Sequence, residues 1–104
     1  MAIAVINYIR SESEEAFERI VLSFKNRARL VEKVKGFIGI EVLASKERRE
    51  VLVITLWDSK ESFDAWVRSR EFDVAHRRAR GDGSTSEGVI YDVIDMSIVR
   101  VEDM

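Results

Sequence analysis

The chain has 104 residues, of which 46% are hydrophobic and 35% charged, enough for one folded domain over residues 1–104 and too few for a second core. Its 17 basic and 19 acidic residues give a net charge of −2 and are mixed along the sequence, so no basic stripe indicates binding to nucleic acid. The sequence has no cysteine, which excludes disulfides, thiolate nucleophiles and thiolate metal sites.

The first predicted element is a strand at residues 2–9, rich in isoleucine and valine. This run is too short to span a membrane and has no basic leader, so we expect a cytoplasmic protein with no membrane partner. A helix should follow, because Ser11 and Glu14 form a capping box and Gly36 marks a helix end. Its apolar side chains recur at helical spacing: Phe17, Ile20, Val21, Phe24, Ala28 and Val31.

Two strands, 37–44 and 50–57, flank a charged turn that is short enough to predict an antiparallel hairpin. Asp58 and Glu61 form a second capping box, which opens a short helix, and Ser69 is predicted to cap another. The apolar side chains of these two helices, with one histidine, are Phe63, Trp66 and Val67, then Phe72, Ala75, His76 and Ala79. A glycine-rich loop at 81–88 and a strand at 89–101 complete the chain.

The order strand, helix, strand, strand, helix pair, strand predicts an α+β fold, a ferredoxin-like antiparallel sheet with helices on one face. Residues 51–56 are apolar on both sides of their strand, whereas helices can cover only one face of the sheet. We therefore predict a homodimer in which two sheets face each other as a dimeric α+β barrel.

His76 is the only histidine and shares an apolar helical face with Phe72 and Ala79. A buried imidazole needs a hydrogen-bond partner or a metal. On position alone, a packed histidine bonded to a backbone carbonyl is the preferred interpretation. A zinc site needs three or four protein ligands, but one histidine can be the single protein ligand of a haem.

Asn7 interrupts the first strand and is predicted to point the same way as Ile3, Val5 and Ile9. A carboxamide on an apolar face costs free energy unless it is hydrogen-bonded, either to a neighbouring loop or to a ligand beside the sheet. Trp66 can be a core aromatic or part of the same pocket, whereas Trp57 is expected only in the core.

The segment LWDSKESFDAW at 56–66, followed by Ser69, Phe72, Ala75 and His76, resembles the antibiotic-biosynthesis-monooxygenase superfamily. Within it, the chain resembles the IsdG-type haem-degrading monooxygenases. The sharper part of the resemblance is the combination of Asn7 in strand one, Trp66 on the short helix and His76 ten residues later.

The resemblance implies that His76 binds the haem iron, that Trp66 presses on the porphyrin and that Asn7 hydrogen-bonds near the oxygen ligand. All three would then be catalytic and haem-binding residues. The porphyrin would be opened with release of iron, haem serving as both substrate and cofactor. The sequence has no flavin or nicotinamide fingerprint, so electrons would come from an external donor, a separate reductase or a small reductant.

Other functions fit the same sequence. One is a cofactor-independent monooxygenase of the superfamily acting on quinols or polyketide aromatics, although such enzymes often carry histidine near the position of Trp66. The others are a non-catalytic haem carrier and a regulatory dimer with an empty pocket. Arg77, Arg78 and Arg80 are near enough to His76 to be candidates for binding propionates, but the resemblance assigns none of them.

Overall fold

The computed structural model describes residues 1–69, 72 and 84–98. Its elements are β1 (Ile3–Ser11), α1 (Glu14–Lys25), a 3₁₀ turn (Val31–Lys33), β2 (Phe37–Ser45), β3 (Glu50–Trp57), α2 (Lys60–Val67) and β4 (Ser84–Asp92). The four strands form one antiparallel sheet in the order β2-β3-β1-β4. This confirms the ferredoxin-like α+β arrangement and the predicted hairpin.

Helix α1 starts later than predicted. Its N-cap is Ser13, whose hydroxyl accepts a hydrogen bond from the Ala16 amide at 3.1 Å. Ser11 cannot cap the helix because it is the last residue of β1, where its amide donates to the Arg49 carbonyl at 3.0 Å. The predicted capping box of Ser11 and Glu14 is therefore wrong.

Helix α1 also ends earlier than predicted. Asn26 is its C-cap, and both its backbone and its side-chain nitrogen donate to the Leu22 carbonyl, at 3.1 and 3.2 Å. Arg29 then has a φ of +56°, which a continuing helix cannot accommodate. Ala28 and Val31 consequently lie outside α1; Val31 is still buried, but in the 3₁₀ turn.

At α2 the N-cap is Ser59, which accepts from the Ser62 amide at 3.2 Å, and not the predicted Asp58. The Asp58 amide instead donates to the Gly36 carbonyl at 2.8 Å, and its carboxylate accepts from the Ser62 hydroxyl at 2.7 Å. Asp58 thus ties the start of α2 to the chain before β2.

Strand β4 begins at Ser84 and ends at Asp92, so the predicted loop at 81–88 and strand at 89–101 are both misplaced. Residues 84–88 pair with β1, from Ser11↔Ser84 to Asn7↔Gly88. An edge strand tolerates such polar residues because it is largely exposed and one neighbour supplies its hydrogen bonds. Residues 81–83 and 99–101 lie outside the described residues.

Two apolar clusters cover one face of the sheet. The first cluster consists of Ile3, Val5, Val31, Trp57 and Trp66. The second cluster consists of Phe17, Ile20, Val51 and Val53. The first packs α2 and the 3₁₀ turn on the sheet, and the second packs α1 on it.

The opposite face, which we call the open face, is largely apolar although it includes Glu41 and Glu87, and it carries no helix within the described residues. The strand register places on it Ala4, Ile6, Tyr8, Leu43, Leu52, Ile54, Leu56, Val89 and Tyr91. Leu43 and Tyr91 are 42% and 44% exposed. No described helix is long and apolar enough to cross a membrane.

Candidate functional site

Asn7 lies on the helix-covered face, in register with Val53 of β3 on one side and Gly88 of β4 on the other. The face predicted from alternation is therefore the one observed. Asn7 is half-buried, and its carboxamide makes no hydrogen bond to any group in the described part of the chain. A polar group so placed is available to a ligand between the helices and the sheet.

Asn7 also separates the two apolar clusters. Val5, one step before it on this face, belongs to the first cluster, and Ile9, one step after it, packs against the second. The carboxamide thus has apolar neighbours in both directions along β1. A ligand that displaces water from these apolar neighbours would receive a stronger hydrogen bond from Asn7 than it would in bulk water.

Trp66 is buried in the first cluster and only 6% exposed. Its ring packs edge-to-face on Phe72, with 5.7 Å between ring centroids. Ser69 fixes the turn between them, because its hydroxyl donates to the Trp66 carbonyl at 2.6 Å and accepts from the Phe72 amide at 3.1 Å. Trp66 is a core aromatic on the same side of the sheet as Asn7.

Trp57 is fully buried in the same cluster, as predicted. Ser69 accepts a hydrogen bond from the Phe72 amide, as expected of a capping serine.

His76 lies outside the described residues, as do Ala75, Ala79 and the three nearby arginines. The iron-ligand role of His76 therefore stays a prediction.

Gly88 also belongs to this site, and the sequence alone does not identify it. Its neighbours in sequence predict a glycine-rich loop, but Gly88 lies beside Asn7 in the sheet. The one indication in the sequence is Asn7 itself, a carboxamide within an apolar strand. If it binds a ligand, a neighbouring residue must leave room for it. The sequence alone does not indicate which residue of a neighbouring strand supplies that space.

Among the described residues, the groups with shifted pKa values lie away from Asn7. A hydrogen bond to Tyr91 raises the pKa of Tyr8, on the open face. A hydrogen bond from Ser62 lowers the pKa of Asp58, at the start of α2. No group of three or more His, Cys, Asp or Glu residues in the described ranges could hold a metal ion. In this part of the site, Asn7 can donate a hydrogen bond to a ligand that lies against apolar side chains.

Comparison with known proteins gives a consistent result. The model of the family described as antibiotic biosynthesis monooxygenase matches residues 2–78. A protein of Shouchella clausii named "Heme-degrading monooxygenase" is 39% identical over 80 residues, which cover 69% of this chain and 75% of the relative.

Solved structures share the fold. The heme degrader MhuD from Mycobacterium tuberculosis, with two hemes bound in its active site, has a TM-score of 0.72 and 28% identity, over 91% of this chain and 98% of that one. SnoaB, a cofactor-independent oxygenase from Streptomyces nogalater, has a TM-score of 0.70 over 91% of this chain and 95% of that one. Its 18% identity supports only the shared fold.

Proposed function

We propose that this chain, which belongs to the antibiotic biosynthesis monooxygenase family, is a haem-degrading monooxygenase. It would oxidise and open the porphyrin ring and release the iron, with haem as both substrate and cofactor. The observation that carries the proposal is the 39% identity to a protein named "Heme-degrading monooxygenase". The likeness to MhuD, whose structure holds two hemes in the active site, supports it.

The described residues fit such a ligand. The half-buried Asn7 carboxamide has no partner among them, and it is bordered by Val53 and by the bare backbone of Gly88. A flat, largely apolar molecule with one polar centre is complementary to that surface.

Each residue of the proposed set would have its own task. His76 would bind the iron through one ring nitrogen. Bound haem would supply both the iron at which dioxygen is activated and the ring that is opened. The Asn7 amide would donate a hydrogen bond where negative charge develops, and this stabilises charge best in a site that excludes water. Trp66, held by Phe72, would press on the porphyrin, and an external reductant would supply electrons.

Haemin added to the purified protein tests the proposal. We expect a shifted Soret band that His76→Ala abolishes, and loss of the band with release of iron once ascorbate is added in air. Asn7→Ala should keep haemin binding and slow the loss of the band. Asn26→Ala is the matched control, because Asn26 is the chain's only other asparagine and caps α1.

The outcomes separate the alternatives. A Soret shift that survives His76→Ala would disprove the ligand assignment. A stable spectrum under reductant would indicate a haem carrier. Oxidation of a quinol by haem-free protein would indicate a cofactor-independent oxygenase.

We also propose that the protein is a homodimer whose two open faces pack together, because this largely apolar face carries no helix within the described residues. Ile54 lies at its centre, beside Glu41 in the register. Ile54→Glu would place two carboxylates side by side in the interface, so it should give a monomer in light scattering. Leu22→Glu, on an exposed site of α1, is the control and should stay dimeric. A monomeric parent protein at micromolar concentration would contradict the proposal.

A further inference from the structure

Gly88 is the register partner of Asn7 across the β1–β4 ladder. A Cβ atom on Gly88 would lie 2.8 Å from the Oδ1 atom of Asn7 and 3.9 Å from its Cγ. The first distance is well inside the optimal van der Waals separation. A side chain at position 88 and the observed position of the Asn7 carboxamide are therefore incompatible.

The backbone does not explain glycine at this position. Among the described glycines, only Gly36 has a positive φ, +87°. Glycine inside a strand is destabilising, because it loses more conformational entropy on folding and packs no side chain. Gly39 on β2 provides the contrast, since a Cβ there would meet no atom within 4 Å. Space for Asn7 is the requirement that distinguishes Gly88.

The same distances orient the carboxamide. Only Oδ1 and Cγ of Asn7 come within 4 Å of the Cβ position, so Nδ2 lies farther away. The carbonyl oxygen therefore faces Gly88, and the NH₂ group is turned away from it. In the described residues that NH₂ group donates to nothing, so it is free for a ligand.

We infer that Gly88 is a positioning residue, whose missing side chain lets Asn7 lie toward β4 with its NH₂ group free to donate to the bound ligand. The inference rests on the proposed function, in which that ligand is haem. With alanine at 88, Oδ1 would have to withdraw by about 0.6 Å to reach an ordinary contact of 3.4 Å, or the side chain would change rotamer. Functional groups act well only when held within about 0.5 Å of the productive geometry, so this displacement is large enough to matter.

The amide spectrum of the haem-free protein tests the positioning directly. The chain has no glutamine and two asparagines, so ¹⁵N-labelled protein gives only two side-chain NH₂ pairs, and Asn7→Ala assigns them. Gly88→Ala should shift the Asn7 pair and leave that of Asn26, which donates to the Leu22 carbonyl. Gly39→Ala should leave both. An unmoved Asn7 pair in Gly88→Ala, or an equal shift in Gly39→Ala, overturns the inference.

Haemin turnover tests the consequence. Gly88→Ala should lower the rate of Soret loss about tenfold, because small misplacements of reacting groups are costly, with haemin affinity unchanged. Combined with Asn7→Ala it should cause no further loss, since residues that act as one unit are not additive. If the rate loss in the double variant equals the product of the two single losses, Gly88 acts independently of Asn7 and the inference is overturned. If Asn7→Ala retains the full rate, the catalytic role of Asn7 fails, and the amide spectrum still decides whether Gly88 positions it.

Discussion

Trp57→Phe would test how the core beneath the candidate site is held together. The Trp57 ring is fully buried and packs edge-to-face against Phe37 and Phe63, with centroid distances of 5.4 and 5.7 Å. Its Nε1 donates to the Thr55 hydroxyl at 3.0 Å. Phenylalanine would keep one aromatic ring in place, but it would remove the donor and leave part of the indole volume unfilled.

Two losses contribute to the expected effect. A hydrogen bond of this kind contributes about 1 kcal/mol net. Replacing indole by phenyl removes roughly 50 Å² of buried apolar surface, which is about 1.3 kcal/mol at 25 cal/mol per Å², and unfilled volume adds to this. We therefore expect the free energy of unfolding to fall by about 2–3 kcal/mol, out of roughly 5–15 kcal/mol for a domain of this size.

The assay is urea unfolding followed by far-UV circular dichroism, at one fixed protein concentration because subunit association contributes to stability. Thr55→Val removes the acceptor while keeping the side-chain shape. Because both variants break the same hydrogen bond, the double variant should lose about 1 kcal/mol less than the sum of the two. Two results would refute the reasoning. One is a loss of unfolding free energy below about 0.5 kcal/mol for Trp57→Phe. The other is a double variant whose loss equals the sum of the two single losses to within about 0.3 kcal/mol.

Three further substitutions test local features. Gly36→Ala should lower the free energy of unfolding by at least about 2 kcal/mol, because Gly36 has a positive φ and a Cβ would strike the Ser62 side chain; a circular-dichroism melt unchanged from the parent would contradict this. Ser59→Ala should cost about 1 kcal/mol in urea unfolding through loss of the α2 cap, and no loss would argue against capping. The hydrogen bond from Arg27 lowers the pKa of Glu32 below its ordinary 4.5, so its stabilisation is complete above pH 4.5 and is lost as the pH falls through the lower folded value. Glu32→Gln should remove that part of the acid sensitivity; identical curves of stability against pH would disprove the linkage.

The sequence predicted the sheet well where alternation and burial coincide. The hairpin was placed within one residue, 37–44 and 50–57 against Phe37–Ser45 and Glu50–Trp57. The face of Asn7 was also predicted, because a strand has only two faces and its apolar neighbours identify the buried one.

The errors have local physical causes. Val31 fits the helical period of α1 and is buried, yet it reaches the core from a separate turn after Asn26 and Arg29 have ended the helix. Periodicity reports burial and does not report chain continuity. Residues 84–88 have loop-like composition, but pairing with β1 makes them a strand, and that pairing is a tertiary contact which local sequence does not encode.

The position of β4 at the edge of the sheet has a consequence for the order in which the molecule assembles. Within the described part of the chain this strand has β1 as its only neighbour, and the ladder joins residues as distant in sequence as Ile3 and Asp92. Closing so long a loop costs entropy before any contact is gained, whereas the β2–β3 hairpin is local. We expect β4 to dock last in folding and its amide protons to exchange with deuterium sooner than those of β3, and equal protection of the two strands would contradict this order. The pairing of Gly88 with Asn7 would then be among the last contacts to form in folding and among the first to break when the protein opens locally.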